Sequence, residues 1–286
     1  SFFSSVEAFT PYSWNSNPIG TMNKDLLFSY TRIHALPFLL WALVSTGFSL
    51  SGKEPEQTWR SLIEKHAECV TWVSVTVRVE VSTGGRSMPA QEQKLEALGT
   101  VISMDGLTVL SLNTVDPTSN ILSRLRNPGA SVQVKYTEVL ILMKDGTEVP
   151  AKLLLKDIDL DLAFVLPIAD SIEIQDGINF SPVPTTKKPT KNSLQVLDEV
   201  VSVSKLGRNL YRQSTLRRGW VNAVIEKPRK YFVIENIGLG TPIFSRFGEW
   251  LGVVVYKMDR GRPSGVVTLP SDDILEIAEQ VRSRNQ

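Results

Sequence analysis

Cysteine is almost missing from this chain: of 286 residues only Cys69 carries a thiol, so no internal disulfide can brace the fold and no redox compartment can be read from the sequence. Histidine is nearly as scarce, with His34 and His66 alone. No Cys/His cluster has the spacing of a metal site, and neither a metal nor a cofactor is expected. An excess of one charge is missing too. Lys+Arg 31 against Asp+Glu 30 leaves no net field to steer the chain to nucleic acid or anionic lipid, and no nucleic-acid partner is expected. Internal repeats and low-complexity tracts are absent. What remains is an ordinary globular composition, long enough for one large domain or two modest ones.

Long apolar runs are also scarce, and the most prominent lies near the start. Residues 1–21 show no clear period and read as irregular. Met22-Asn23-Lys24 and Arg32 then precede the apolar run Ala35–Val44, which small residues follow at Ser45, Thr46, Gly47, Ser49 and Ser51. A positive head, an apolar middle and a small-residue tail are the plan of a secretory signal peptide starting at Met22, with cleavage before Gly52. Two other readings stay open. Ile33–Leu50 just reaches the length of a spanning helix and would serve as a membrane tether, although Pro37 and the small residues dilute it. A buried core helix is the third. The first two place the body outside the cytoplasm, as a periplasmic, secreted or membrane-anchored protein.

Beyond the leader, apolar residues at Trp59, Leu62 and Ile63 predict an amphipathic helix over Glu54–Glu68. The period then changes. Val73, Val75, Val77, Val79 and Val81 alternate with polar residues, which predicts a half-buried strand. Ser82–Glu96 reads as a polar hairpin loop and Asp116–Val132 as loop or one helical turn. Strands are expected at Leu98–Ser103, Leu107–Leu112, Glu138–Met143, Glu148–Leu155 and Leu162–Ile168, with Asp-Gly turns between members of two pairs. Ala169–Leu194 reads as a connection. Strands resume at Glu199–Ser204, Gly219–Ile225, Tyr231–Ile234, Pro242–Phe244, Trp250–Tyr256 and Gly265–Thr268, and a last helix opens at Ser271. Many short strands with regular turn signals predict antiparallel barrels. The domain plan is an N-terminus and leader over 1–52, a first barrel over 53–168, a linker over 169–195, and a second barrel with the terminal helix over 196–286.

Three segments carry a resemblance to a known family. Gly99-Thr-Val-Ile-Ser-Met-Asp-Gly-Leu-Thr-Val-Leu-Ser-Leu-Asn-Thr-Val115 is similar to Gly-Phe-Ile-Ile-Ser-x-Asp-Gly-Tyr-Ile-Leu-Thr-Asn-Asn-His-Val-Val. Lys144–Lys152 with Lys156–Leu166 is similar to an Asp-Gly-x-x-x-x-Ala stretch followed by Asp-x-x-x-Asp-Leu-Ala-Val-Leu. Gly238-Leu239-Gly240-Thr241-Pro242, with the strands that follow to Val254, resembles a nucleophile loop of the form Gly-Asn/Asp-Ser-Gly-Gly-Pro. In this order they resemble the HtrA-like branch of the trypsin-like serine proteases, over about three quarters of the chain. The resemblance implies an all-β fold of two antiparallel six-stranded barrels with a short C-terminal helix. The PDZ module that usually follows in HtrA proteins is not expected in this sequence.

Acyl transfer on such a fold needs a hydroxyl nucleophile, an imidazole base and a carboxylate that orients the imidazole. Matched residue by residue, the acid falls on Asp161, the base on Asn113 and the nucleophile on Leu239. An amide cannot take a proton near neutral pH, and Leu239 has no heteroatom to attack a carbonyl. Neither histidine stands where the base belongs. Asp161 has two readings: a carboxylate capping the Asp157–Leu160 turn, or a partner of Asn113 left over from the triad.

His66 and Cys69 lie three apart, too few donors for a metal; Cys69 reads as a buried structural cysteine at a strand start, with a nucleophilic thiol beside the imidazole as the sharper alternative. Arg212, Arg217 and Arg218 read as a solvated face, with an acidic-peptide site as the sharper alternative. The function expected is a catalytically inactive, HtrA-like pseudoprotease. It would bind peptides or unfolded proteins in the cleft between the barrels, at Gly238, Gly240, Val255 and Tyr256. An active serine endopeptidase with misaligned groups and a structural subunit of an extracytoplasmic assembly are the rivals.

Overall fold

The computed structural model describes residues 55–125, 129–169, 178–185 and 194–284. The leader and the expected cleavage point therefore lie outside the described residues, as does most of the expected linker. The chain divides into Ser1–Gly52 and Lys53–Gln286, and every described residue belongs to the second unit. Among the described residues no helix is long and apolar enough to cross a membrane.

Helix α1 (Pro55–His66) buries Trp59 and Leu62, three residues apart on one face. A 3-10 turn, Ala67–Cys69, then feeds the first barrel. That barrel is built from β1 (Val70–Thr83), β3 (Gln91–Val101), β4 (Thr108–Ser111), β5 (Ser131–Leu142), β6 (Glu148–Asp157) and β7 (Leu162–Pro167). It closes because β1 pairs with β3 on one side and β5 on the other. Val73, Val75, Val77 and Val79 fill its interior from β1, as their alternation requires.

Two loops expected from composition are ordered elements instead. The polar stretch after β1 turns in two residues, Gly84 and Gly85, at φ +58° and +77°, a turn that glycine alone makes at low cost. The short strand β2 (Arg86–Ser87) pairs back onto β1, and β3 runs beside the valine strand from Gln91. The polar side chains of that stretch face solvent while their backbone completes the ladder, so polarity misread a strand as a loop. The Asp116–Val132 segment contains helix α2 (Thr118–Leu125), and β5 begins at Ser131 rather than Glu138 because β1 pairs with it back to Ser82.

The second barrel comprises β8 (Glu199–Lys205), β9 (Ser214–Ile225), β10 (Tyr231–Ile234), β11 (Pro242–Ser245), β12 (Trp250–Asp259) and β13 (Arg262–Pro270). Around the first barrel the order is β1-β3-β4-β7-β6-β5, and around the second β8-β9-β10-β13-β12-β11. With the strands numbered within each barrel, both run first, second, third, sixth, fifth, fourth. The two barrels share one topology although no sequence repeat announces it. This is the double-barrel architecture that the trypsin-like resemblance implies.

A third apolar layer joins the barrels. Val70, Val109 and Phe164 of the first meet Val203, Phe244 and Val255 of the second. Helix α3 (Ser271–Arg284) contributes Ile274, Ala278 and Val281 at a spacing of four and three, with Asp272 and Asp273 in the first turn where the helix dipole favours acids. Val183, within the expected linker, also packs there and donates its N–H to Val101 O at 2.9 Å. Two side chains reinforce the junction. Lys205, almost fully buried, pairs with Glu68 at 3.2 Å, and the Trp72 indole donates to Leu206 O at 3.1 Å.

Candidate functional site

Asp161 lies between β6 and β7 with φ +56°, a left-handed conformation that costs a non-glycine residue about 1–2 kcal/mol. Five hydrogen bonds hold it there. Its carbonyl accepts Leu112 N–H at 2.9 Å. Its carboxylate accepts the Ser111 hydroxyl at 2.5 Å, Asn113 N–H at 2.8 Å, the Asn113 side-chain amide at 2.7 Å, and Tyr256 N–H of the second barrel at 2.8 Å. The residue is completely buried. Burial pushes its pKa above the usual carboxylate range, while the Ser111, Tyr256 and Asn113 donors pull the other way.

The Asp157–Leu160 turn is capped by Asp157 and not by Asp161: Asp157 Oδ1 accepts Asp159 N–H at 3.0 Å and Leu160 N–H at 2.9 Å. A carboxylate caps the turn from its first residue, where its short side chain reaches the next N–H groups. Asp161 is thereby left to face the first-barrel turn at Ser111–Asn113 and the edge of β12.

Asn113 stands in the 3-10 turn Leu112–Thr114 and is half-buried. Its amide nitrogen has two protons. One is directed at Asp161 and the other at Met258 Sδ, 3.5 Å away on β12. The side chain bridges the two barrels and has no free base to offer.

The loop before β11 forms the other side. Gly240 takes φ +75°, and a Cβ there would lie 2.0 Å from Leu98 O, so only glycine lets the loop meet β3 this closely. Thr100 on β3 donates its hydroxyl to Gly240 O at 2.8 Å. Gly240 N–H is bound to Val254 O at 2.8 Å, and Thr241 donates its hydroxyl to Gly238 O at 2.7 Å. The preceding amides differ. The N–H groups of Ile237, Gly238 and Leu239 have no hydrogen-bond partner among the described residues. Leu239 itself is half-buried and packs against the second barrel's interior, where Val200, Val221, Phe232 and Ile243 lie.

Asn113 and Asp161 are thus in direct contact. Leu239 joins them indirectly: Gly240 binds Val254, two residues before the Tyr256 N–H that holds Asp161. Tyr256 is half-buried, and Val255 is fully buried in the layer between the barrels. The backbone direction along β12 follows from these bonds. Val254 turns its N–H and C=O to the loop, so by alternation Tyr256 and Met258 point the same way and Val255 and Lys257 point to β13. β11 stops pairing at Val253. The Tyr256 C=O and both backbone groups of Met258 therefore face an open edge.

Ser111, Thr100 and Met258 belong to this site and were not singled out from the sequence. Ser111 has a retrospective signal, since it ends β4 two residues before Asn113. Met258 has none, because its role depends on how the barrels dock. His66 is stacked on Phe244 at a centroid separation of 4.8 Å, and burial followed by the Lys65 charge lowers its pKa. Burial pushes the Cys69 thiol up to about 12, leaving no thiolate at neutral pH. Of the three arginines, Arg212 pairs with Glu96, Arg218 pairs with Glu199, and Arg217 donates to Asn236 O at 2.9 Å.

No protein-family model matches the sequence, and no curated protein matches it either.

Proposed function

We propose that this chain is a catalytically silent protein of the trypsin-like, HtrA-like type that binds extended peptides or unfolded protein in the cleft between its barrels. One observation carries the reading: the Asn113 amide, at the matched base position, is held by Asp161 on one side and Met258 on the other. An amide so placed orients two barrels against each other and removes no proton. Leu239, at the matched nucleophile position, adds no reactive atom.

Binding chemistry is better represented. The Tyr256 C=O and the Met258 N–H and C=O form a short unpaired edge that an extended peptide can extend as a strand, with main-chain hydrogen bonds supplying affinity. The amides of Ile237–Leu239, without a hydrogen-bond partner among the described residues, suit a peptide carbonyl or terminal carboxylate. The signal-like sequence from Met22 supports an exported or tethered location.

Fluorophosphonate labelling tests the catalytic half. No serine of the wild-type chain is expected to label, and labelling abolished by one serine substitution would overturn the silence. Fluorescence anisotropy with unfolded peptides tests the other half. Saturable binding that Met258→Pro weakens, by removing the one N–H of the edge, supports the edge; no binding at any concentration favours a structural subunit instead.

A further inference from the structure

A cavity of about 450 Å³ opens beside Asn113, between α2, the ends of β5 and β6, and the tip of the β12–β13 hairpin. Its walls combine two chemistries. Val132, Val134, Leu122 and Ile158 supply apolar surface, the last two exposed to water although they are large aliphatic side chains. Lys156, Arg260 and Arg262 supply positive charge, against the single carboxylate of Asp116.

That carboxylate is already engaged. It accepts the Tyr136 hydroxyl at 2.8 Å and Thr118 N–H at 3.0 Å, and it pairs with Lys156 at 3.5 Å. Burial raises its pKa, but the Thr118 and Tyr136 bonds and Lys156 outweigh it and hold the group below the usual range. Asp116 thus balances Lys156. Arg260 and Arg262 have no ion-pair partner among the described residues. Two guanidinium groups without an ion pair among the described residues flank an apolar-walled cavity.

The cavity is continuous with the peptide edge. Met258 ends that edge with its sulfur on Asn113, and Arg260 follows two residues later at φ +48°, in the two-residue turn that Gly261 completes. We infer that this cavity receives an acidic side chain of the bound peptide, with Arg260 and Arg262 reading its carboxylate and Leu122 and Ile158 covering its apolar stem. The inference rests on the peptide-binding reading above and assigns it a sequence preference. Guanidinium groups suit the task, since they remain charged and bind carboxylates through two donors at once.

The test is anisotropy with short unstructured peptides that differ only by Glu, Gln or Lys at one position, walked along an otherwise constant sequence. At one position the Glu peptide is expected to bind roughly tenfold tighter than the Gln peptide, the scale of a hydrogen bond to a charged group, and Lys weaker still. Raising the salt should shrink the difference. Arg260→Gln with Arg262→Gln should abolish the preference while peptides still bind, and Arg246→Gln, on the distant β11–β12 hairpin, should preserve it. Circular dichroism confirms that each variant folds. Equal binding of Glu and Gln peptides at every position, or a preference that survives the double substitution, overturns the inference alone. Absence of binding for every peptide overturns the peptide-binding reading and this inference with it.

Discussion

Two walls meet where the barrels join, and they are held by different forces. On the first-barrel wall five hydrogen bonds converge on Asp161, a fully buried residue in a left-handed conformation. On the second-barrel wall Leu239 rests on apolar neighbours, and the loop's shape depends on Gly240 lying against the Leu98 carbonyl. A polar network is specific and fails abruptly when one member is lost, because buried donors are then left without acceptors. An apolar contact fails in proportion to the surface removed. The first wall is therefore expected to tolerate almost no substitution at its centre, and the second to tolerate Leu239 changes but not Gly240 changes.

The largest effect should come where close approach is absolute. Gly240→Ala puts a Cβ into a backbone carbonyl that cannot swing aside and adds left-handed strain, for a loss of about 3–5 kcal/mol in denaturant unfolding. A loss under about 1 kcal/mol would show that the loop has slack and that the contrast between the walls is overstated. Next is Asp161→Ala, which orphans the Ser111, Asn113 and Tyr256 donors together and should cost about 3 kcal/mol. If both effects appear and are additive, the walls are independent; coupling beyond about 0.5 kcal/mol would mean that the Tyr256 bond ties them into one unit.

A smaller effect separates packing from chemistry. Leu239→Ala should cost only about 1 kcal/mol, since the side chain is half-exposed already. Asn113→His combined with Leu239→Ser is expected to give slow fluorophosphonate labelling at position 239. Silence in a folded double variant would mean that the loop geometry departs from a protease's as well as its residues do.

The smallest effect is the pH dependence of the apolar wall. His66 lies on Phe244, and burial lowers its pKa below the ordinary 6.5. The unfolded chain takes up this proton first as pH falls, so the stability that neutral His66 provides is complete above about pH 6.5 and declines below it. Stability curves of wild type and His66→Phe should diverge in that direction; parallel curves would remove His66 from the account.

Sequence periodicity made much of the frame legible, but not all of it. The valines of β1 alternate because one face meets the barrel interior, and that pattern survives without knowledge of any partner. The β2 and early β3 residues defeated it, because in an outer ladder the backbone pairs while the side chains remain polar. The residue matching that put Asp161, Asn113 and Leu239 side by side on paper said nothing of Ser111 or Met258. A side chain's partner across the chain follows from docking, and Met258 reaches Asn113 from 145 positions away.

Local chemistry determined by itself what this chain excludes: a disulfide within it, a proton-accepting base at Asn113, and a hydroxyl at Leu239. Those are properties of residue types, and no packing can supply them. Tertiary structure alone decided what the remaining groups do. Closure of two barrels buried Asp161, gave its carboxylate four donors from two barrels, and left the Met258 edge open beside Arg260 and Arg262. Each of these depends on distances between strands far apart in sequence, and only the folded chain sets such distances.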